Sequence, residues 1–349
     1  MHGTGDARPT PVGVPWATAW EAALYGPRGF FTAGAGPADH FRTAVHAAPD
    51  VLARALVRLA RDLGRSRLLD LGAGRGELLT AVSVLPEAAG LALHAADVVP
   101  RPAALPAAIG WSTGLEPVPG GAFDDALVVA WELLDDVPCP VLEVDDDGHA
   151  RTVLVDPGTG RETLGTPPAP PDAAWCARWW PLADAEPGDR AEVGLPRDAV
   201  WAAVVARAGV TPHGADVLAV DYHHGRDDRP PTGTLTGFRA GRAVPPVPDG
   251  RCDVTAHVAL DAVATAGEAA GAVRTRLTDQ RTALLELGVA HGMHGAEGPA
   301  PAAGTAGGPE LLRALARRSA VAELLDPGAL GGFGWLLQHV PGVAGRTPG

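Results

Sequence analysis

The chain has 349 residues, 28 of them basic and 41 acidic, for a formal net charge of −13. Every basic side chain is Arg, scattered among Asp and Glu, so the cationic stripe that a phosphate-backbone binder needs is missing and nucleic acid is disfavoured. An acidic field attracts cationic partners, while 46% hydrophobic residues exclude a disordered chain. The length corresponds to about two structural units, or one large domain with insertions.

The 45 Gly, 34 Pro and absent Lys fit the codon bias of a GC-rich genome and carry no functional weight. Cys139, Cys176 and Cys252 are odd in number, far apart and form no C-x-x-C pair, which argues against a disulfide framework or structural zinc. Met1 to Pro15 has no apolar h-region, and no stretch approaches the ~18 apolar residues of a membrane span. A soluble cytoplasmic protein without a metal is expected.

In chain order, residues 1–15 read as a leader, Trp16 to Tyr25 as a helix, and Gly26 to Pro37 as a glycine-rich loop. From Phe41 to Leu63 the positions Val45, Val51, Leu52, Leu56, Leu59 and Leu63 recur at helical intervals, giving one or two helices with Asp50 as a cap. Arg67 to Leu71 is a strand that turns through glycines into a helix at Glu77, and a second strand runs from Leu91 to Ala96. Ala126 to Trp131 is a continuous apolar run, as expected of a parallel strand buried on both faces. These alternating elements point to a doubly wound α/β fold.

Val141 to Val155 alternates about Asp145 to Gly148 as a β-hairpin. After a Pro-rich connection, Thr166 to Asp172, a helix at Ala199 to Ala208 and a strand at Asp216 to Asp221 resume the sheet. Val258 to Leu287 reads as helix, turn, helix, followed by a mobile Gly/Ala/Pro linker at about 295–308 and a closing helix with a short apolar segment at 309–339. The expected organisation is a leader and helical cap (1–66), a core (67–258) interrupted by an insertion at about 139–198, and a helical C-terminal region (259–349).

The sharpest chemical signal is Asp70-Leu71-Gly72-Ala73-Gly74-Arg75-Gly76-Glu77, a strand end that turns through three alternating glycines into a helix. Its G-x-G-x-G spacing differs from the G-x-G-x-x-G of dinucleotide sites, where a helix N-terminus faces a pyrophosphate. Asp70 would repel a pyrophosphate and suits the ammonium of S-adenosylmethionine. Asp97, 21 residues past Gly76 at the next strand end, is placed to accept hydrogen bonds from both ribose hydroxyls. An ordinary glycine loop and a helix cap are the plainer alternatives.

Trp131-Glu132-Leu133-Leu134-Asp135-Asp136-Val137-Pro138 closes the third strand, at the edge where open α/β sheets bind ligands. Glu132 and Asp135 there are candidates to hold a guanidinium or amine acceptor by charge-assisted hydrogen bonds, or else to cap the next helix. Trp131 is packing or an adenine wall. His257 is a candidate to polarise or deprotonate an acceptor. His223 and His224, adjacent on a strand, point to opposite faces and argue against a metal.

Together these residues resemble the MidA-like S-adenosylmethionine-dependent methyltransferases, a family that includes the mitochondrial arginine methyltransferase needed for complex I assembly. Asp70 to Gly76 is similar to the family's Glu-Leu-Gly-Pro-Gly-Arg-Gly, and Glu132-Leu133-Leu134-Asp135 with Pro138 to its Asn-Glu-Leu-Leu-Asp-Ala-Leu-Pro, with Trp131 in place of Asn. Gly29-Phe30-Phe31-Thr32 resembles part of its Gly-Asp-Phe-x-Thr. Asp221-Tyr222, Gly233-Thr234-Leu235 and Asp253-Val254-Thr255-Ala256-His257-Val258 resemble its later motifs in order.

The resemblance implies a Rossmann-like class I methyltransferase fold with a helical cap and hairpin insertion. It also implies S-adenosylmethionine seated by Asp70, Gly72, Gly74, Gly76 and Asp97, an acceptor bordered by Glu132, Asp135 and His257, and possible methylation of arginine in a basic segment of a partner protein. A small-molecule methyltransferase of secondary metabolism, a non-catalytic cofactor-binding assembly factor and a nicotinamide oxidoreductase are the alternatives, since fold does not decide function.

Overall fold

The computed structural model describes residues 13–33, 44–289 and 308–345. Most of the expected leader, residues 34–43 and the expected linker up to residue 307 lie outside them.

The first helix, α1 (Trp16–Tyr25), is followed by helical turns at Phe30–Ala33 and Ala44–Ala47 and by α2 (Pro49–Asp62). Pro49 opens α2, where its missing N–H costs nothing. Ala48 stands at the cap position and Asp50 in the first turn, so Asp50 is not the cap; its carboxylate complements the helix dipole. Val51, Leu52, Leu56 and Leu59 bury the inner face.

The core alternates β1 (Arg67–Leu71), α3 (Glu77–Ser83), β2 (Ala92–Asp97), β3 (Gly110–Thr113) and β4 (Ala126–Trp131). An insertion follows: β5 (Val141–Val144), β6 (Ala150–Val155), β7 (Glu162–Leu164), α4 (Pro170–Trp179) and β8 (Arg190–Glu192). Then come α5 (Leu195–Gly209), β9 (Gly214–Asp221), the short strands β10 (Thr236–Arg239), β11 (Arg242–Val244) and β12 (Asp253–Thr255), and α6 (Leu260–Ala269). The chain closes with β13 (Arg274–Asp279), α7 (Gln280–Glu286), α8 (Gly308–Leu325) and β14 (Gly334–Pro341).

Seven strands form the central sheet in the order β13-β14-β9-β4-β1-β2-β3. β9, β4, β1, β2 and β3 pair parallel, and β14 runs antiparallel to both of its neighbours. All six residues of β4 are buried. Leu127, Val129 and Trp131 join the core under α2 and α3, whereas Val128 and Ala130 join the core under α5 and α6. A period of two thus feeds two layers of helices, the doubly wound arrangement.

The C-terminal region departs from expectation. β13 occupies the expected turn and β14 the closing apolar segment, so the region read as helical supplies two strands of the sheet. In the insertion, β5 and β6 form the hairpin and extend with β7, β8 and Val14–Pro15 into a second sheet. Trp16, Trp20 and Leu24 of α1 pack there with Val141, Val153 and Val254. This packing holds α1, β10 and β12 beside the carboxyl edge of the central sheet.

Candidate active site

β1, β2, β4 and β9 end at one edge, and the sheet order changes direction between β1 and β4, the switch point at which open α/β sheets bind ligands. Buried β1 delivers Asp70 there, 2% exposed, and then turns through Gly72, Gly74 and Gly76 at φ of 72°, 59° and 79°. These left-handed values exact a steric cost from any L side chain. The amides of Gly72 and Ala73 donate to the Ala96 carbonyl at 2.9 and 3.1 Å, and the Gly74 amide donates to Asp97 Oδ2 at 2.8 Å. These three contacts tie the loop to the end of β2.

The three glycines do different things. A Cβ on Gly72 would meet Leu133 Cδ1 at 2.8 Å, and one on Gly76 would meet Leu105 Cδ1 at 2.4 Å. At Gly74 its nearest neighbour would be Glu77 Oε2 at 3.4 Å, so Gly74 is bare toward open space. Gly76 caps α3 and packs on Leu105.

A cavity of about 920 Å³ lies over this edge, near the top of the ~300–1,000 Å³ range of small-molecule sites. Asp70, Gly72, Gly74, Asp97, Glu132 and Asp135 line it. Gly76 and His257 do not. The His257 ring stacks on Tyr222 with centroids 5.5 Å apart, and Tyr222 lines the cavity.

The carboxyls form two electrostatic groups. At the glycine loop, burial pushes Asp70 up to about 8, with Asp97 and Glu77 adding to the rise. Burial raises Asp97 as well, opposed by amides that include Gly74 and Val99. Beyond Leu133, burial and then Asp135 push Glu132 up to about 8, and burial raises Asp135 despite its hydrogen bond from Thr255 and the nearby Arg197. Asp136 and Asp253 belong to the second group and line the same cavity.

Glu132 adopts φ 50°, and no other non-glycine on the described cavity wall is left-handed. Its amide donates to the Val220 carbonyl at 2.8 Å, and its carboxylate accepts from the Ala44 amide at 2.9 Å. Such a conformation costs roughly 1–3 kcal/mol and persists where surrounding structure enforces it, commonly at functional sites. Asp135 accepts from Thr255 Oγ1 at 2.8 Å. Arg197, 1% exposed, donates to the carbonyls of Val137, His257 and Asp135 at 3.2, 2.7 and 2.8 Å, and its charge stands beside Asp135 and Asp221.

The family model described as "Putative S-adenosyl-L-methionine-dependent methyltransferase" matches residues 83–278, more than half of the chain. The chain belongs to this family. It is a methyltransferase that uses S-adenosylmethionine, and the match begins at the end of α3, just past the glycine loop. A protein from Burkholderia thailandensis crystallised with S-adenosyl-homocysteine shares the fold at 24% identity and TM-score 0.76, over 94% of this chain and 88% of that one. A native crystal structure of a Burkholderia thailandensis protein aligns at 24% identity and TM-score 0.72, over 94% and 87% of the two chains. No curated protein matches the chain.

The site of this methyltransferase fits its cofactor. Gly74 offers bare backbone to the cavity, Asp97 keeps lone pairs for hydroxyl donors beyond its bonds to Gly74 and Val99, and the Asp70, Glu77 and Asp97 group favours an ammonium and a sulfonium while opposing a pyrophosphate. When bound, the cofactor supplies an electrophilic methyl group. Trp131 lines the cavity and packs edge-on against Trp335, with centroids 5.4 Å apart.

Residues given no role from sequence also line the wall, among them Asp136, Asp253, Glu21, Tyr25, Phe31 and Phe238. Asp253 opens a motif already noted, but its strand lies in a separate small sheet. Tyr25 reads as one more apolar helix position. Among the described residues no three His, Cys, Asp or Glu are arranged to hold a metal ion, and no described helix is long and apolar enough to cross a membrane.

Proposed function

We propose that the methyl acceptor is an arginine side chain of a partner protein, that Asp97 binds the ribose of the cofactor, and that Glu132 and Asp135 bind the guanidinium. The observation that carries this reading is the acidic far end of the cavity. Glu132, Asp135, Asp136 and Asp253 face it, while the basic side chains on the described wall, His46 and Arg75, belong with the glycine loop; His46 lies 3.5 Å from Glu77. A cation entering this end meets carboxyls and no basic group of the described wall, and charge-assisted hydrogen bonds hold it.

In the proposed reaction Glu132 accepts a guanidinium N–H, orients that nitrogen toward the cofactor end and takes the proton that the nitrogen gives up on methylation. Burial leaves a proton on the empty Glu132 carboxyl; the entering guanidinium displaces it to solvent, and the carboxylate so formed is the base. Trp131, Leu133 and Tyr222 exclude water around the reacting groups. The acidic surface of the chain steers a basic segment toward the site. The cytoplasm is the proposed compartment, supported by three free buried cysteines.

The test is incubation of the protein with methyl-labelled S-adenosylmethionine and arginine-rich peptides or cell extract, followed by mass spectrometry. Label on arginine nitrogen that disappears with Glu132→Gln supports the reading. Label confined to small molecules or to hydroxyl groups contradicts it.

A further inference from the structure

The helical turn Ala44–Ala47 is attached to both ends of the cavity. Its first amide, that of Ala44, donates to Glu132 Oε1 at 2.9 Å, just past β4 at the acceptor end. Farther along the turn, His46 Nε2 lies 3.5 Å from Glu77 Oε1 at the start of α3. The other oxygen of Glu77 accepts from the Arg75 amide at 3.0 Å and is the atom nearest to a Cβ placed on Gly74. The glycine loop, Glu77, His46, Ala44 and Glu132 thus form one series of contacts from the cofactor end to the acceptor end.

A turn of 4 residues does not hold itself, because nucleation fixes several dihedrals for a single hydrogen bond. Ala44 and Ala47 are buried in the core under α2 and α3, whereas Val45 and His46 are half-buried and line the cavity. Packing therefore sets one side of the turn, and whatever fills the cavity sets the other. A ligand that covers Val45 and His46 removes freedom from the turn and lowers the cost for the next group that needs it ordered. Burial raises the Glu77 carboxyl, but contact with His46 and with backbone amides prevails and holds it below its ordinary value, so a full negative charge remains at the cofactor end of the series.

We propose that His46 is a positioning residue that couples the two ends of the site: with the cofactor seated against Val45, His46 and Glu77, the turn is fixed and the Ala44 amide holds Glu132 in the orientation that meets the acceptor. This rests on the reading of Glu132 as an acceptor group and adds a coupling to it. Cofactor and acceptor each strengthen the binding of the other, by the same factor.

The experiment is hydrogen exchange of the full chain, read amide by amide by NMR with and without saturating S-adenosylhomocysteine and with no acceptor present. Ala44 is expected to exchange about fivefold or more slower with the ligand, beyond any slowing of the β9 amides, which report general stabilisation. In His46→Ala the ligand still slows Gly72 and Gly74 and no longer slows Ala44. His46→Gln, which keeps an N–H for Glu77, retains the effect. Unchanged Ala44 exchange in the wild-type protein, slowing no greater than that of β9, or equal slowing in His46→Ala overturns the proposal, as does loss of the slowing in His46→Gln. Because no acceptor takes part, failure of the arginine reading leaves these outcomes intact, and failure here leaves that reading to its own labelling test. If His46→Ala does not bind S-adenosylhomocysteine, the wild-type protein and His46→Gln decide.

Discussion

The Glu132 carboxylate accepts a hydrogen bond from the Ala44 amide at 2.9 Å, joining the end of the central strand β4 to the helical segment that precedes α2. One side chain therefore anchors the cap and presents a carboxyl to the cavity. The left-handed backbone of Glu132 aims it there, and its amide bond to Val220 holds that conformation.

Replacing Glu132 with Gln keeps an acceptor for Ala44 and removes the base. Turnover is expected to fall about 10²- to 10⁴-fold, the usual range for general acid–base catalysis, with cofactor affinity nearly unchanged. Steady-state kinetics on a methylated acceptor, together with cofactor titration, separate the two. Equal loss of both would assign Glu132 to the architecture of the cap instead.

The cavity carboxyls make stability depend on pH in a definite direction. Asp70, Glu132 and Asp253 are each pushed up to about 8 by burial, whereas in the unfolded chain they ionise near pH 4. Between these values the unfolded state has lost protons that the folded state retains, so stability falls as pH rises. The Tm of the protein without ligand is expected to drop between about pH 5 and pH 8, and less steeply in Glu132→Gln. A Tm that rises across that window would contradict the burial argument.

Two glycines of one loop are expected to fail differently. Gly76→Ala brings a methyl to 2.4 Å from Leu105 at φ 79° and should cost about 1–3 kcal/mol of stability in urea unfolding. Gly74→Val meets open space beside its Cβ but still carries the backbone cost of φ 59°, about 1–3 kcal/mol, and in addition should reduce cofactor affinity about tenfold or more. Thermal shift with and without S-adenosylhomocysteine distinguishes these outcomes.

Arg197→Met leaves three buried carbonyls unpaired and removes the cation beside Asp135 and Asp221. A loss of roughly 3–5 kcal/mol is expected, as for other broken buried charge arrangements. Chemical denaturation or soluble yield measures it.

His257→Ala should retain kcat/KM within about threefold, because the ring packs on Tyr222 and is not among the described residues that line the cavity. A loss of several orders of magnitude in a folded variant would return His257 to the chemistry.

Much of this was legible in the sequence where periodicity and a steric requirement coincided. The apolar run from Ala126 to Trp131 is a strand because all six residues are buried between two helical layers, and Gly72, Gly74 and Gly76 mark a loop whose alternate residues are left-handed, which few other side chains tolerate. β13 was hidden because its sequence, Arg-Thr-Arg-Leu-Thr-Asp, is polar; it is an edge strand with exposed side chains, so pairing with β14 defines it and burial does not. Gly110–Thr113 is short and lies at the opposite edge.

The site shows the same division. Asp70, Asp97, Glu132 and Asp135 follow directly from strand ends, and local grammar places them on the cavity. Asp253 and Tyr25 reach it only through packing of α1 against the second sheet, a long-range relationship without a local signature. His257 carried a suggestive residue type, but a position just past β12 does not reveal that its ring will stack on Tyr222.

Cofactor recognition is tested most directly by calorimetric titration of S-adenosylhomocysteine into the wild-type protein and into Asp97→Ala. Saturable binding that weakens by about tenfold or more in the variant is the predicted result, since the lost carboxylate holds the Gly74 amide and, in the proposed reading, the ribose. No binding to the wild-type protein, or equal binding to both, would contradict the placement of the cofactor over the glycine loop.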